Sequence, residues 1–148
     1  MALARIKMSY VFEVTRGWLE GALDTNDTVT DASVTGGLGN GDIVTLSSSG
    51  TLIKVTTPVH ACGFVLSGEK NSSSSIAAGG LPVILWRNFV ARTQNYNTAS
   101  SWAPGVNVTV KNNKLDVANG TTDPVIGYVK KVNAPVGSTP GDIEFVKF

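Results

Sequence analysis

The stretch that decides the fold is Gly105-Val-Asn-Val-Thr-Val-Lys-Asn-Asn-Lys-Leu-Asp-Val117. Valine at positions 106, 108 and 110 alternates with polar or charged residues, which is the two-residue period of a strand with one buried face. Asn112 and Asn113 then predict a two-residue hairpin turn, because asparagine tolerates the left-handed backbone conformation that such a turn requires. The returning strand of this hairpin is predicted over Lys114–Val117.

The composition of the whole chain agrees with an all-β fold. Valine supplies nineteen residues against ten leucines, and sixteen glycines, fifteen threonines and eleven asparagines accompany them. Valine and threonine fit pleated strands, whereas glycine and asparagine fit tight turns. The chain has 148 residues, 42% of them apolar, which is enough for one domain with a sizeable core. We therefore predict a compact β-barrel or β-sandwich of short antiparallel strands.

Charge and cysteine content exclude several functions. Twelve Lys and Arg against eleven Asp and Glu leave a net charge of +1, so there is no basic field to hold a phosphate backbone and nucleic-acid binding is not expected. No run approaches the ~20 apolar residues of a membrane span, and no signal peptide is recognisable. We expect no membrane association and synthesis in a reducing cytoplasm. The single cysteine, Cys62, excludes an internal disulfide.

The two halves of the chain show a repeated pattern. Gly41–Leu46 matches Gly105–Val110, and Gly63–Val65 matches Gly127–Val129, both at an offset of 64 residues. Each unit consists of a strand, a turn, a second strand, a loop with proline, and a strand that begins Gly-aromatic-Val. The shared offset predicts a two-fold internal repeat within the β-domain.

Residues 1–28 fall outside this repeat and are predicted to be an N-terminal arm that precedes a single domain over residues 29–148. The segment carries large apolar side chains, which a disordered tail rarely does because they need a surface to cover them. We expect these side chains to contact a neighbouring subunit: Tyr10, Phe12, Trp18 and Leu19. In the alternative, Ser9–Val14 is the first strand of the domain.

The residues that could carry catalysis do not form a recognisable set. His60 and Cys62 are two residues apart on one chain segment, a spacing that rarely allows the in-line hydrogen bond a thiolate needs, so a buried thiol is expected instead. The glycine-rich segment Gly36–Gly41 is followed by a strand and not by a helix, and so predicts a turn rather than a phosphate-binding loop. Asp142 and Glu144 are expected on a solvated strand face. We predict no enzyme activity and no catalytic residues.

No cofactor and no metal centre is predicted. One histidine and one cysteine are too few soft ligands for a transition-metal site. Asp24 and Asp27, together with loop carbonyls, leave a calcium ion as a minor alternative, although the full EF-hand pattern is absent.

Tyr96 and Trp102 are the remaining candidates for partner binding. Trp102 lies in a polar segment that ends in a proline. An aromatic side chain in such a loop either covers the end of the core or contacts a partner, and the sequence leaves both roles open.

The order of the short motifs resembles the capsid decoration, or cement, proteins of tailed bacteriophages. Gly41–Leu46 begins with the Gly-Asp-hydrophobic-Val pattern that opens a strand in that family, and Gly50–Leu52 follows it. Gly63–Val65 and Ile126–Val129 match the segments that close each half. The resemblance extends over roughly residues 36–148. It implies a compact β-domain on the outer surface of the virion, bound to the major capsid protein, commonly as a homotrimer. It implies no catalytic residues.

A second class of function stays open beside this resemblance. A carbohydrate- or receptor-binding β-domain of a head fibre or tail tip would use Trp102 and Tyr96 as a platform for a sugar ring.

Overall fold

The computed structural model describes residues 12–16, 23–24, 31, 33–34, 37–66, 75–76 and 83–148. Within these residues the regular structure consists of thirteen strands and no helix. In chain order the strands are β1 (Phe12–Arg16), β2 (Leu23–Asp24), β3 (Leu38–Gly39), β4 (Ile43–Leu46), β5 (Leu52–Lys54), β6 (Gly63–Leu66), β7 (Ser75–Ile76), β8 (Val83–Leu85), β9 (Phe89–Thr93), β10 (Asn107–Lys111), β11 (Lys114–Val117), β12 (Gly127–Asn133) and β13 (Asp142–Lys147).

The strands form two main antiparallel sheets in a sandwich-like arrangement. Sheet A has six strands in the order β1-β9-β13-β12-β10-β11, and sheet B has five in the order β2-β8-β6-β4-β5. Strands β3 and β7 form a separate pair. The prediction of an all-β fold built from short antiparallel strands is confirmed.

A cluster of four phenylalanines fills the space between the two sheets. Phe64 comes from sheet B, and Phe12, Phe89 and Phe145 come from sheet A; each is at most 1% exposed. Neighbouring ring centroids are 5.2 to 6.3 Å apart, with stacked, tilted and edge-on geometries. Such aromatic pairs stabilise a core by about 0.5–1.5 kcal/mol each beyond the burial of their area.

Sheet B is covered on both faces. Ile43 of β4 and Phe64 of β6 belong to the aromatic core, whereas the next residues along the chain, Val44 and Val65, pack on the opposite face against Leu38 of β3. A strand covered on both sides needs consecutive apolar residues. This is why β4 and β6 lack the alternation of β9 and β13, whose outward residues are only half-buried.

The hairpin predicted from the central sequence stretch is confirmed. Strands β10 and β11 pair directly across a two-residue turn, with Lys111 opposite Lys114. Asn112 and Asn113 both have positive φ values, 52° and 58°, as a tight hairpin turn with right-handed strand twist requires.

A buried polar network ties this turn of sheet A to the start of β4 in sheet B. The Asn113 side chain accepts a hydrogen bond from the main-chain N–H of Ile43 (2.7 Å) and donates one to Asp42 Oδ1 (3.0 Å). Asn95, which is fully buried, donates to the carbonyl oxygens of Gly41 (3.0 Å) and Asn113 (2.7 Å). Because buried polar groups are costly without partners, these bonds fix how the two sheets meet.

The glycine-rich segment before β4 is a turn, as predicted. The main-chain N–H of Gly39 donates to Asp42 Oδ2 (2.7 Å), and the turn leads directly into β4. Gly41, with φ of 84°, needs the backbone freedom of glycine. No helix begins after the described part of this segment, residues 37–41, to meet a phosphate group.

Strand pairings in the two halves of the chain correspond at the offset of 64 residues. In sheet B, Ile43 faces Phe64 and Val44 faces Gly63. In sheet A, the residues 64 positions later make the same pairs, Asn107 with Tyr128 and Val108 with Gly127. The order β5-β4-β6-β8 likewise has its counterpart in β11-β10-β12-β13. These pairings agree with the predicted internal repeat, which itself stays a prediction.

Strand β1 corrects one part of the N-terminal prediction. Phe12–Arg16 pairs with β9 inside sheet A, and Phe12 is fully buried and stacked on Phe64 with a centroid separation of 5.5 Å. Phe12 is therefore a core side chain and is not available to a partner. The described part of the segment fits the alternative, in which residues up to Val14 supply a strand of the domain. Tyr10, Trp18 and Leu19 lie outside the described residues.

Candidate interaction sites

The two residues considered for nucleophilic catalysis lie in different environments. Cys62 is 1% exposed and packs within the aromatic core, whereas His60 is exposed. Burial raises the pKa of the Cys62 thiol to about 11. The thiol is therefore protonated at neutral pH, and only the thiolate is a good nucleophile. The predicted buried thiol is confirmed.

The wild type is expected to lose stability at alkaline pH because of Cys62, and the variant Cys62→Ala is expected to lack this loss. Between the ordinary thiol pKa of 9.0 and the folded value of about 11, the unfolded chain releases the thiol proton while the folded chain keeps it. The free energy of unfolding therefore falls as the pH rises through this range, by about 2–3 kcal/mol for Cys62 alone. Urea unfolding of both proteins across this range measures the difference. Parallel pH curves would contradict the burial of the thiol.

Asp142 and Glu144 belong to a row of charges on the outer face of sheet A. The strand register places Glu13, Arg92, Glu144 and Lys131 opposite one another on four neighbouring strands, so that the signs alternate. Glu13 forms an ion pair with Arg92, whose Nε lies 3.8 Å from Asp142 Oδ2. Opposite charges across strands contribute about 0.2–1 kcal/mol per pair. Both acids are half-buried parts of this row.

The search for metal ligands gives no candidate centre within the described residues. No group of three or more His, Cys, Asp or Glu side chains that could hold a metal ion occurs there. The side chains of Asp24 and Asp27, the alternative calcium ligands, lie outside the part of the chain that is described.

Tyr96 and Trp102, both predicted to bind a partner, contact each other at the edge of the core. Their ring centroids are 5.6 Å apart at an interplanar angle of 86°. Trp102 Nε1 donates a hydrogen bond to the carbonyl oxygen of Asn97 (2.8 Å). Both rings are partly buried and pack against the aromatic core. The structure thus shows Trp102 covering the core, and its contact with a partner stays a prediction.

Trp102→Ala is expected to lower the free energy of unfolding by about 2–3 kcal/mol, somewhat less than truncation of a fully buried tryptophan. The cause is the loss of contacts with the core and with Tyr96. Trp102→Phe is the matched control, because it keeps an aromatic ring in place. It loses the hydrogen bond, which contributes about 0.5–1.5 kcal/mol, and only part of the packing area of the indole. Urea unfolding of the three proteins gives the comparison. A stability of Trp102→Ala equal to that of the wild type would contradict the packing role.

A polar cleft of about 480 Å³ opens along the loop that carries Trp102. Asp116 lies in this cleft and accepts hydrogen bonds from Ser100 Oγ (2.5 Å) and Asn97 Nδ2 (3.1 Å). Its carboxylate is therefore held in one orientation. The lining residues are Ala99, Ser100, Ser101, Lys111, Asp116, Val117, Ala118, Asn119 and Asp123.

Tyr128 and Phe148 form an exposed aromatic pair that sequence reasoning missed. Tyr128 is 40% exposed and Phe148 is 56% exposed, and their ring centroids are 6.0 Å apart. They are the two exposed aromatic side chains of the described residues. The signal was present, since Tyr128 alternates with buried Gly127 and Val129 along β12. Exposed apolar side chains that lie together, unlike those scattered singly, are candidates for a contact surface.

A cleft of about 300 Å³ includes Phe148 in its wall. We refer to it as the Lys147 cleft. Its lining combines aromatic, cationic and thiol side chains: His60, Ala61, Cys62, Trp86, Arg87, Lys147 and Phe148. None of these residues was predicted to bind a partner.

Lys147 occupies the last inward position of β13 and is 5% exposed. Its ammonium group donates to the main-chain oxygens of Trp86 (2.7 Å) and Phe148 (3.1 Å). Burial lowers the pKa of Lys147, the Cys62 thiol opposes this shift, and the positive charge of Arg87 adds to it. A cation therefore lies where Ile143 and Phe145 would predict another apolar side chain.

Comparison with known proteins identifies no relative of this chain. No protein-family model matches the chain, and comparisons with curated proteins and with solved structures found no significant match. The resemblance to capsid decoration proteins therefore stays a prediction from sequence motifs. Among the described residues, no helix is long and apolar enough to cross a membrane.

Proposed function

We propose that the chain is a capsid decoration protein, which binds the outer surface of an assembled bacteriophage head and stabilises contacts between major capsid subunits. The observation that carries the proposal is the exposed pair of Tyr128 and Phe148. Aromatic side chains are enriched in the centres of protein interfaces, where they supply much of the binding free energy. The all-β fold also agrees with the motif resemblance over Gly41–Leu46 and Gly63–Val65.

The aromatic pair is attached to rigid parts of sheet A. Tyr128 lies on β12, which is paired on both sides by β10 and β13. Phe148 follows β13 directly, and its main-chain N–H donates to the carbonyl oxygen of Ile126 (3.0 Å). A backbone that is already held in a sheet loses little conformational entropy on binding, so this surface suits a stable contact.

Stabilisation of the head would follow from mass action. A protein that binds only the assembled lattice stabilises it by its own binding free energy, and many copies on one head multiply the effect. In this proposal the chain acts on the virion surface, as a homotrimer, after synthesis in the host cytoplasm. It uses no cofactor.

The proposal is tested by attachment to purified heads of the phage that carries the gene, stripped of their native copies. The wild type should co-sediment with heads, and the double variant Tyr128→Ser/Phe148→Ser should bind at least tenfold more weakly. Val136→Ser is the matched control, since Val136 is 75% exposed but lies in the β12–β13 turn. Absence of wild-type attachment would refute the proposal, as would equal binding of all three proteins. A gene position beside the head protease and major capsid genes would support it.

A carbohydrate-binding role is the second candidate, and the polar cleft favours it. Asp116 is held in a fixed orientation there, and an oriented carboxylate can accept hydrogen bonds from sugar hydroxyls. Binding of the wild type on a glycan array, lost in Asp116→Asn but kept in Asp142→Asn, would support this role. Trp102→Phe should bind more weakly, if the indole serves as the sugar platform.

A further inference from the structure

The Lys147 cleft holds a buried cation at a position that belongs to the core stripe of β13. Ile143 and Phe145, two and four residues earlier, are fully buried in the aromatic core. Lysine is rarely buried without an anionic partner, because removing an ammonium group from water is costly. Core packing alone therefore does not explain why a lysine occupies this position.

The Lys147 ammonium group uses two of its three hydrogen-bond donors within the described residues. The ammonium group has three N–H donors, and two of them bond to main-chain oxygens, at Trp86 and Phe148. No side-chain carboxylate of the described residues lies within ion-pair distance of Lys147 or of Arg87. Among the described residues that line the cleft, Lys147 and Arg87 carry a positive charge and no side chain carries a negative one.

The Lys147 cleft contains a second cationic side chain, that of Arg87. Arg87 is exposed and lines the same cleft. Burial is the main cause of the lowered pKa of Lys147, and the positive charge of Arg87 adds to it. Two positive charges in one cleft repel each other, and an anion bound between them reduces this repulsion. A guanidinium group also matches the planar carboxylate with two parallel hydrogen bonds.

We propose that the Lys147 cleft is a carboxylate-binding site that takes an acidic side chain of the docking partner. The inference rests on the proposed function for the identity of the partner, but not for the chemistry of the cleft. Lys147 and Arg87 hold the carboxylate, and the rings of Trp86 and Phe148 contact the apolar part of the same segment. A volume of about 300 Å³ is enough for one such side chain together with the chain segment beside it.

The chemistry is tested on the isolated full-length protein with phenylacetate as the probe. We expect phenylacetate to shift the NMR signals of His60, the Trp86 indole and Phe148, with a dissociation constant on the order of a few millimolar for so small a ligand. Neutral phenylacetamide should bind at least tenfold more weakly. Equal binding of the two probes would overturn the proposal, as would binding of inorganic phosphate in preference to phenylacetate.

Two variants and one control locate the site. Lys147→Met and Arg87→Gln should each weaken phenylacetate binding at least tenfold, and Lys147→Met should fold because methionine fits a core position. Lys111→Gln makes the same change in net charge at the exposed β10–β11 hairpin, and should bind phenylacetate as the wild type does. Retained binding in Lys147→Met would overturn the proposal.

The source of the carboxylate is tested with phage heads. If an acidic side chain of the capsid enters the cleft, Arg87→Gln should weaken attachment to heads at least tenfold and Lys111→Gln should not. Unchanged attachment of Arg87→Gln would overturn the assignment of the partner. A wild type that binds phenylacetate but no heads would instead refute the proposed function, while the carboxylate site would stand.

Discussion

Gly127→Ala is expected to prevent stable folding at room temperature. A Cβ atom added at Gly127 would overlap the carbonyl oxygen of Val146 and lie 3.0 Å from its carbonyl carbon. These are main-chain atoms of β13, which pairs with β12 along most of its length, so they cannot move without separating the two strands. Destabilisation above about 5 kcal/mol, which is exceptional for one methyl group, is the expected result of urea unfolding.

Two other glycines give matched comparisons. At Gly63, the counterpart of Gly127 in sheet B, an added Cβ would overlap Ile84 Cγ2 and approach Trp86 to 2.9 Å. Those neighbours are side chains that can shift, so Gly63→Ala should cost less than Gly127→Ala. Gly120 has a φ of 58° with open space around it, and Gly120→Ala should cost only about 1 kcal/mol of backbone strain. A smaller loss of stability in Gly127→Ala than in Gly120→Ala would contradict the close approach of β12 and β13.

Asn113→Gly is expected to lower the free energy of unfolding by about 3–5 kcal/mol. Glycine accepts the positive φ of the turn, so the turn itself is not strained. The loss comes from the network between the sheets, because the main-chain N–H of Ile43 and the Asp42 carboxylate each lose a hydrogen bond. A buried group left without its partner costs about 1–3 kcal/mol, and more when it is charged.

Asn112→Gly is the control for this prediction, since it makes the same substitution one residue earlier at almost the same φ. Asn112 is exposed, so its variant should differ from the wild type by less than about 1 kcal/mol. Urea unfolding measures both proteins. Similar stabilities for the two variants would show that the side chain of Asn113 does not hold the sheets together.

The sequence predicted those parts of the fold that depend on neighbours along the chain. The alternation of valine from Val106 to Val110 and the asparagine pair that follows fix the β10–β11 hairpin through strand period and turn chemistry alone. The motif offset of 64 residues likewise anticipated which strands make equivalent pairs. Local rules of this kind do not require knowledge of the rest of the structure.

Features that depend on distant pairing were not predictable in this way. The place of Phe12 in the core depends on β9, about eighty residues later, because that strand accepts β1 as its neighbour. The aromatic pair of Tyr128 and Phe148 and the cation at Lys147 depend on how the end of β13 meets β12 and the segment after β8. The two-residue period of the strands places Tyr128 outward and Lys147 inward, but it does not show what either side chain contacts.

The strand order of sheet A has a consequence for the time course of synthesis on the ribosome. Strand β13, the last of the described strands in chain order, lies between β9 and β12. Until residues 142–147 emerge, β1 and β9 are not paired with the strands β10 to β12, and the edges of β9 and β12 that will receive β13 are open. Unpaired edges of this kind invite pairing with other chains. The nascent protein thus depends on β13 to join two partial sheets, and a chain truncated before β13 exposes both edges to aggregation.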